Sequence, residues 1–135
     1  MTEQNQPSYF TKYRVPVLLL FIITTLGILA GTLLPPNYDL PDTIWKQDKV
    51  GHFIMFLIWT TLFGAFLAVK NQAKPKLLAV FLYSAAYGLG IEILQLLLPT
   101  NRQAETLDFV ADISGSLVAI CILWFIFKKA FPATS

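Results

Sequence analysis

The sequence predicts an all-α membrane protein, a bundle of four transmembrane helices with both termini in the cytoplasm. Three observations carry that expectation. Of the 135 residues, 56% are hydrophobic and only 13% are charged, whereas a soluble domain carries about a quarter charged residues. Mean hydropathy is +0.61, and a chain this short has too little interior to hide so much apolar surface from water. The apolar residues also fall into four runs of membrane-spanning length, separated by links rich in proline or polar residues. This composition excludes a disordered tail, an acidic scaffold and an ordinary soluble enzyme. A net charge of +2 is too small to point to nucleic acid. The single cysteine, Cys121, forms no internal disulfide.

A spanning helix needs about 20 apolar residues, because each adds about 1.5 Å to a path of roughly 30 Å. After a polar tail over 1–14, the first span, 15–34, contains no ionisable residue. It is long for a secretory signal core and ends in Leu33-Leu34-Pro35 without an A-x-A-like site, so it reads as a retained anchor. The second span, 50–69, carries His52. The third, 77–98, carries Glu92 and Gln95. The fourth, 107–127, opens on Asp108 and Asp112 and leads into a tail over 128–135. Residues 15–127 thus form one membrane domain.

Seven of the ten lysines and arginines (Lys12, Arg14, Lys70, Lys74, Lys76, Lys128 and Lys129) fall on one side of this arrangement. That bias places both termini inside and the first and third links outside. Tyr9, Phe10, Tyr13 and the 124–127 aromatics anchor the inner interface, Tyr38 and Trp45 the outer one. Small residues recur at four-residue steps: Gly27 and Gly31, Ala86 and Gly90, Gly115 and Ala119. Such steps let helices approach closely in lipid. For Gly27 and Gly31, homo-oligomerisation and internal packing are equally expected.

The polar residues converge at one depth. Asp48, Lys49 and His52 sit at the outer start of the second span, Glu92 and Gln95 near the outer end of the third, Arg102 and Glu105 in the outer link, and Asp108 and Asp112 at the start of the fourth. Asp48/His52 and Asp108/Asp112 are i,i+4 pairs and Glu92/Gln95 an i,i+3 pair, so each occupies one helix face. An ionised carboxylate at bilayer depth costs several kcal/mol unless paired, hydrated or protonated. Asp48, Glu92, Asp108 and Asp112 face only Lys49 and Arg102, so a protonated His52, a shared carboxyl proton, a cation or a cationic ligand group must balance them. The alternative is that these groups only staple the helices together. Interhelical hydrogen bonds in membranes average about 0.6 kcal/mol, little return for so much buried charge. One histidine without an HExxH or cysteine pattern is a weak zinc signal, the oxygen-rich set suits Mg²⁺ or Ca²⁺ slightly better than a transition metal, and no cofactor is expected. Glu105 reads as solvated, and Lys49 and Gln95 as supporting residues.

These residues resemble the VanZ-like family of small bacterial membrane proteins. The matching stretches are Asp48-Lys49-Val50-Gly51-His52-Phe53, a D-K-x-x-H-F opening; Glu92 and Gln95 preceded by Gly88 or Gly90; and Arg102, Asp108, Ala111, Asp112 and Gly115, an R-x5-D-x2-A-[ND]-x2-G signature. The resemblance covers about residues 45–120. Many relatives look to have Asn where this chain has Asp112. The resemblance implies a multi-pass protein of the bacterial cytoplasmic membrane with a cell-envelope or glycopeptide-resistance role. The family's namesake is linked to resistance to teicoplanin, a lipid-tailed glycopeptide.

Three functions follow as expectations. The first is an outward-facing pocket that binds an envelope lipid or lipid-tailed amphiphile through Arg102, Asp108, Asp48, Lys49 and Gln95. The second is an intramembrane enzyme acting on a lipid-linked envelope precursor, with Glu92 or Asp112 as general base and His52 as proton shuttle. The third is a proton- or ion-coupled carrier acting as an oligomer.

Overall fold

Four α-helices, α1 (Tyr9–Leu33), α2 (Asp48–Asn71), α3 (Leu77–Leu97) and α4 (Thr106–Ala130), form the computed structural model, which describes residues 9–33, 48–99 and 104–131. No strand occurs among them, and each helix is long and apolar enough to cross a membrane. Arg102, the first link with Tyr38 and Trp45, and the outermost tails lie outside the described residues. Helix α1 begins six residues before the expected apolar span, and α4 continues three residues past its own. Backbone hydrogen bonding carries a helix into the polar interface, whereas the apolar run marks only the hydrocarbon crossing.

The ends follow local chemistry. Helix α3 stops at Leu97 because Leu98 precedes Pro99 and takes an extended backbone (φ −91°, ψ 138°). Helix α2 closes with Gln72 in the left-handed region (φ 51°), and the Ala73 N–H donates to the Ala68 carbonyl at 3.3 Å. That is a Schellman-type end built without glycine.

Helix α2 is the hub, packed along α4, then α1, and more lightly on α3, while α3 packs on α4 and α1. Paired residues give the directions. His52 meets Asp112, Thr60 meets Ser116, and Gly64 faces Leu123, so α2 and α4 run parallel. Phe21 stacks on Phe66 while Thr25 bonds Trp59, so α1 and α2 run antiparallel. The α2–α4 seam is close because Gly115 has no side chain. A methyl there would overlap the Phe53 carbonyl oxygen and lie 3.1 Å from Leu57 N. Gly115 and the buried Ala119 thus fill the packing role expected of that step. The Ala86/Gly90 step does not pack helices: Ala86 is exposed, and a methyl on Gly90 meets nothing within 4 Å. Gly88 is the close approach on α3 instead, where an added Cβ would lie 3.3 Å from Phe56. It lies on the same face as Ser84, Glu92 and Gln95, where Ala86 and Gly90 do not. A methyl at Gly27 or Gly31 likewise meets nothing within 4 Å.

Inside the bundle, Phe56, Trp59, Ile28 and Ile91 form one apolar cluster, and Ala68, Val80, Leu123 and Phe127 a second. Trp59 stacks on Tyr87 (centroids 4.6 Å, 16° between planes), and its indole N–H donates to Thr25 Oγ1 at 2.8 Å. Leucines, isoleucines and valines face outward on all four helices. A water-soluble monomer rarely exposes so continuous an apolar surface, and in lipid it is the expected exterior.

Candidate functional site

Because α2 and α4 are parallel and α3 runs against them, the first turns of α2 and α4 meet the last turns of α3. Asp48 and Asp108 occupy those first turns, where the helix dipoles favour negative charge. One turn further in, His52 on α2 and Asp112 on α4 are each 1% exposed, and Glu92 on α3 is 7% exposed. His52 Nδ1 lies 2.9 Å from Asp112 Oδ1. Glu92 Oε2 accepts the Glu105 backbone N–H at 3.0 Å. Lys49 Nζ spans Glu105 Oε2 at 2.7 Å and Asp108 Oδ1 at 3.2 Å. Asp112 Oδ2 and Glu92 Oε1 are buried and have no hydrogen-bond partner among the described residues. A Cβ on Gly88 would lie 3.0 Å from Asp112 Oδ2, so the carboxylate occupies space a side chain on α3 would take.

Two overlapping groups follow. His52, Glu92 and Asp112 each offer a ligand atom within 4.8 Å of the other two, and so do Asp48, His52 and Asp108. At the junction of α3 and α4, a cleft of about 290 Å³ is lined by Leu89, Leu96 and Phe109 together with Glu92, Glu105 and Thr106. Acceptor oxygens and apolar side chains therefore share one opening at the junction of α3 and α4.

A family model described as VanZ/LLP1 matches residues 18–128, most of the chain and all four helices. The chain belongs to the VanZ/LLP1 family. It is accordingly a VanZ-like membrane protein with four helices able to span, which makes it a multi-pass protein. Comparison with curated proteins and with solved structures returned no match. In this VanZ-like bundle the stretches around Asp48–His52, Glu92–Gln95 and Asp108–Asp112 meet at one end.

Of the residues singled out from sequence, Asp48, Lys49, His52, Glu92, Asp108 and Asp112 gather there. Arg102 lies outside the described residues. Gln95 is turned elsewhere: its Nε2 donates to the Thr32 carbonyl at 3.0 Å, and its own carbonyl oxygen has no partner. A helical acceptor at Thr32 would normally receive the N–H four residues on. That position is Pro36, which has none, so Gln95 supplies the missing donor at the end of α1. Glu105 is about half exposed, as expected of a solvated residue, yet it holds Lys49 and, through its backbone, Glu92. Its sequence position shows none of this, because the contacts depend on how α2 and α3 each approach the start of α4.

Sequence reasoning missed a second polar layer. Thr60 Oγ1 lies 2.9 Å from Ser84 Oγ and 3.1 Å from Ser116 Oγ, joining α2, α3 and α4 through fully buried hydroxyls. Ser84 also donates to the Val80 carbonyl. Ser116 is one turn below Asp112, and Thr60 two turns below His52. The signal available was register: Ser116 is i+4 from Asp112 and Thr60 i+8 from His52. Beyond this layer the described core is apolar, with Ala68, Val80, Leu123 and Phe127.

Proposed function

We propose that this VanZ-like protein binds an amphiphile of the cell envelope, with its polar headgroup at the Glu92 cleft and its tail along Leu89, Leu96 and Phe109. The observation that carries this reading is the cleft itself, which pairs carboxylate and hydroxyl acceptors with an apolar wall. Among the described residues the nearby Lys49 is already paired, and acceptors left without a donor favour a headgroup bearing hydroxyl or ammonium groups. The bias of lysine and arginine toward the opposite end supports an outward-facing site, with both termini cytoplasmic in a bacterial cytoplasmic membrane. Arg102, which the sequence puts in the link between α3 and α4, would meet an anionic part of the same ligand. A lipid-tailed glycopeptide such as teicoplanin has both a hydroxyl-rich head and a tail, and fits the same chemistry.

The test is lipid retention by the delipidated full chain in nanodiscs, read by native mass spectrometry. A glucosyl diacylglycerol and phosphatidylethanolamine should be retained in preference to phosphatidic acid of the same chains. Glu92→Gln and Arg102→Ala should each weaken retention about tenfold. Equal retention of all three lipids by wild type and variants overturns the proposal.

A second reading draws on the buried His52–Asp112 pair. In an intramembrane enzyme, Asp112 would orient the imidazole, His52 would move a proton, and Glu92 would act as base on a lipid-linked precursor. Loss of turnover on Glu92→Gln with lipid binding retained would support it, and an envelope lipid profile unchanged by deleting the protein would exclude it. A carrier draws less support, since the described core beyond Thr60, Ser84 and Ser116 has no polar path.

A further inference from the structure

We propose that His52, Glu92 and Asp112 form a binding site for one divalent cation of the zinc or manganese type. The three side chains come from three helices, are all more than nine-tenths buried, and each places a ligand atom within 4.8 Å of the other two. Metal–ligand bonds of about 2.1 Å put adjacent ligands about 3.0–3.4 Å apart, from octahedral to tetrahedral geometry. His52 Nδ1 and Asp112 Oδ1, 2.9 Å apart, are near that spacing, and a cation there replaces the proton they share. Glu92, within 4.8 Å of both, needs to close by at most about 2 Å, which a glutamate side chain does by rotation.

A cluster of acids alone would not suffice, and the unpartnered oxygens supply the independent observation. Asp112 Oδ2 and Glu92 Oε1 are buried and have no hydrogen-bond partner among the described residues. An unmatched buried carboxylate oxygen is costly, and a cation satisfies two of them at once. Lys49 does not serve them, because it is engaged by Glu105 and Asp108. Two carboxylates and a neutral imidazole around a divalent ion leave the buried site with no net charge.

The competing group, Asp48, His52 and Asp108, shares the imidazole but stands beside the Lys49 ammonium, 3.2 Å from Asp108 Oδ1. Like charges oppose a cation there, so the inner triad takes it. Outer contacts also favour the inner site: the Glu105 N–H fixes the second oxygen of Glu92, and Gly88 leaves room beside Asp112. The donor set selects the ion. One imidazole with carboxylates suits Zn²⁺ or Mn²⁺, whereas Ca²⁺ seeks six to eight oxygens and Mg²⁺ seldom takes imidazole. The proposal shares Glu92 with the amphiphile reading but does not depend on it.

His52 is the only histidine in the chain, so any imidazole bound to metal in tag-free protein identifies this site. The experiment takes the full chain, purified tag-free in detergent and stripped with EDTA, and titrates Zn²⁺ and Mn²⁺ separately. One ion per chain is expected, with nitrogen hyperfine coupling in pulsed electron paramagnetic resonance of bound Mn²⁺. Glu92→Gln and Asp112→Asn should raise Kd at least about tenfold, while Asp48→Asn changes it less than threefold. No retained ion in folded wild type, a bound ion without nitrogen coupling, or dependence on Asp48 in place of Glu92 would each overturn the proposal. The wild-type spectrum stands even where a variant fails to fold. Lipid retention measured with EDTA present separates the two proposals: retention by a chain that takes up no ion in the titration sinks only the cation site, and metal binding without retention sinks only the amphiphile.

Discussion

Gly115→Ala should loosen the functional end of the bundle without touching a polar residue. The added methyl would overlap the Phe53 carbonyl oxygen and lie 3.1 Å from both Leu57 N and the Phe53 carbonyl carbon. Non-bonded carbon contacts settle near 3.5–4.0 Å. Both walls are helix backbone, so no side-chain rotation relieves the clash, and α2 and α4 must part by about 0.5–1 Å. Overpacking of this kind costs roughly 1–3 kcal/mol. The same helix pair holds His52 against Asp112 at 2.9 Å, and parting it by about 1 Å carries that contact beyond hydrogen-bonding range. Stranding the buried partners adds about 1–3 kcal/mol, for a total of about 2–6 kcal/mol. The assay is thermal unfolding in one detergent, with Gly90→Ala as control. A methyl on Gly90 meets nothing within 4 Å, so the control should stay within about 0.5 kcal/mol of wild type. A Gly115→Ala protein that melts within a degree of wild type, or a control that loses as much, refutes the reasoning.

Other outcomes follow from the same contacts. Glu92→Gln and Asp112→Asn should leave the melting temperature of metal-free protein unchanged or raised, since each removes a buried charge with an unpaired oxygen; a large drop in both would make these acids structural partners. Lys49→Met should destabilise by about 1–2 kcal/mol and be rescued by Asp108→Asn, because it strands a buried carboxylate, and a double-mutant cycle with no coupling would contradict this. Gln95→Leu should cost about 1 kcal/mol by uncovering the Thr32 carbonyl, read as faster hydrogen exchange at the end of α1. If Zn²⁺ or Mn²⁺ binds as proposed, affinity should fall as pH drops from 7 to 5, because protons compete for the imidazole and carboxylates; a pH-independent Kd would count against those ligands.

The fold was legible because lipid imposes a length rule that apolar runs reveal directly. The convergence of His52 with Glu92 and Asp112 was legible in outline, since i,i+3 and i,i+4 spacing puts polar residues on one helix face. Sequence spacing could not say which helix lies beside which, and so hid the 2.9 Å His52–Asp112 contact and the shared role of Lys49. Thr60, Ser84 and Ser116 escaped notice for another reason. Hydroxyl side chains satisfy themselves on their own helix backbone, as Thr24, Thr61 and Ser114 do, so their presence alone does not announce an interhelical contact. Gln95 looked like a member of the acidic face, and only the approach of α1 shows it answering Pro36.

The parallel seam of α2 and α4 also bears on how the protein is made. His52 and Asp112 are 60 residues apart, and α4 follows α2 and α3 out of the ribosome. Until α4 enters the bilayer, a nascent chain holds His52, Glu92 and Thr60 without the neighbours that later cover them. Those early helices are the least comfortable in lipid when the chain is incomplete, so an arrested or truncated product should stay bound to insertion machinery or be degraded. Polar groups that serve the finished protein thereby act as a checkpoint on its assembly.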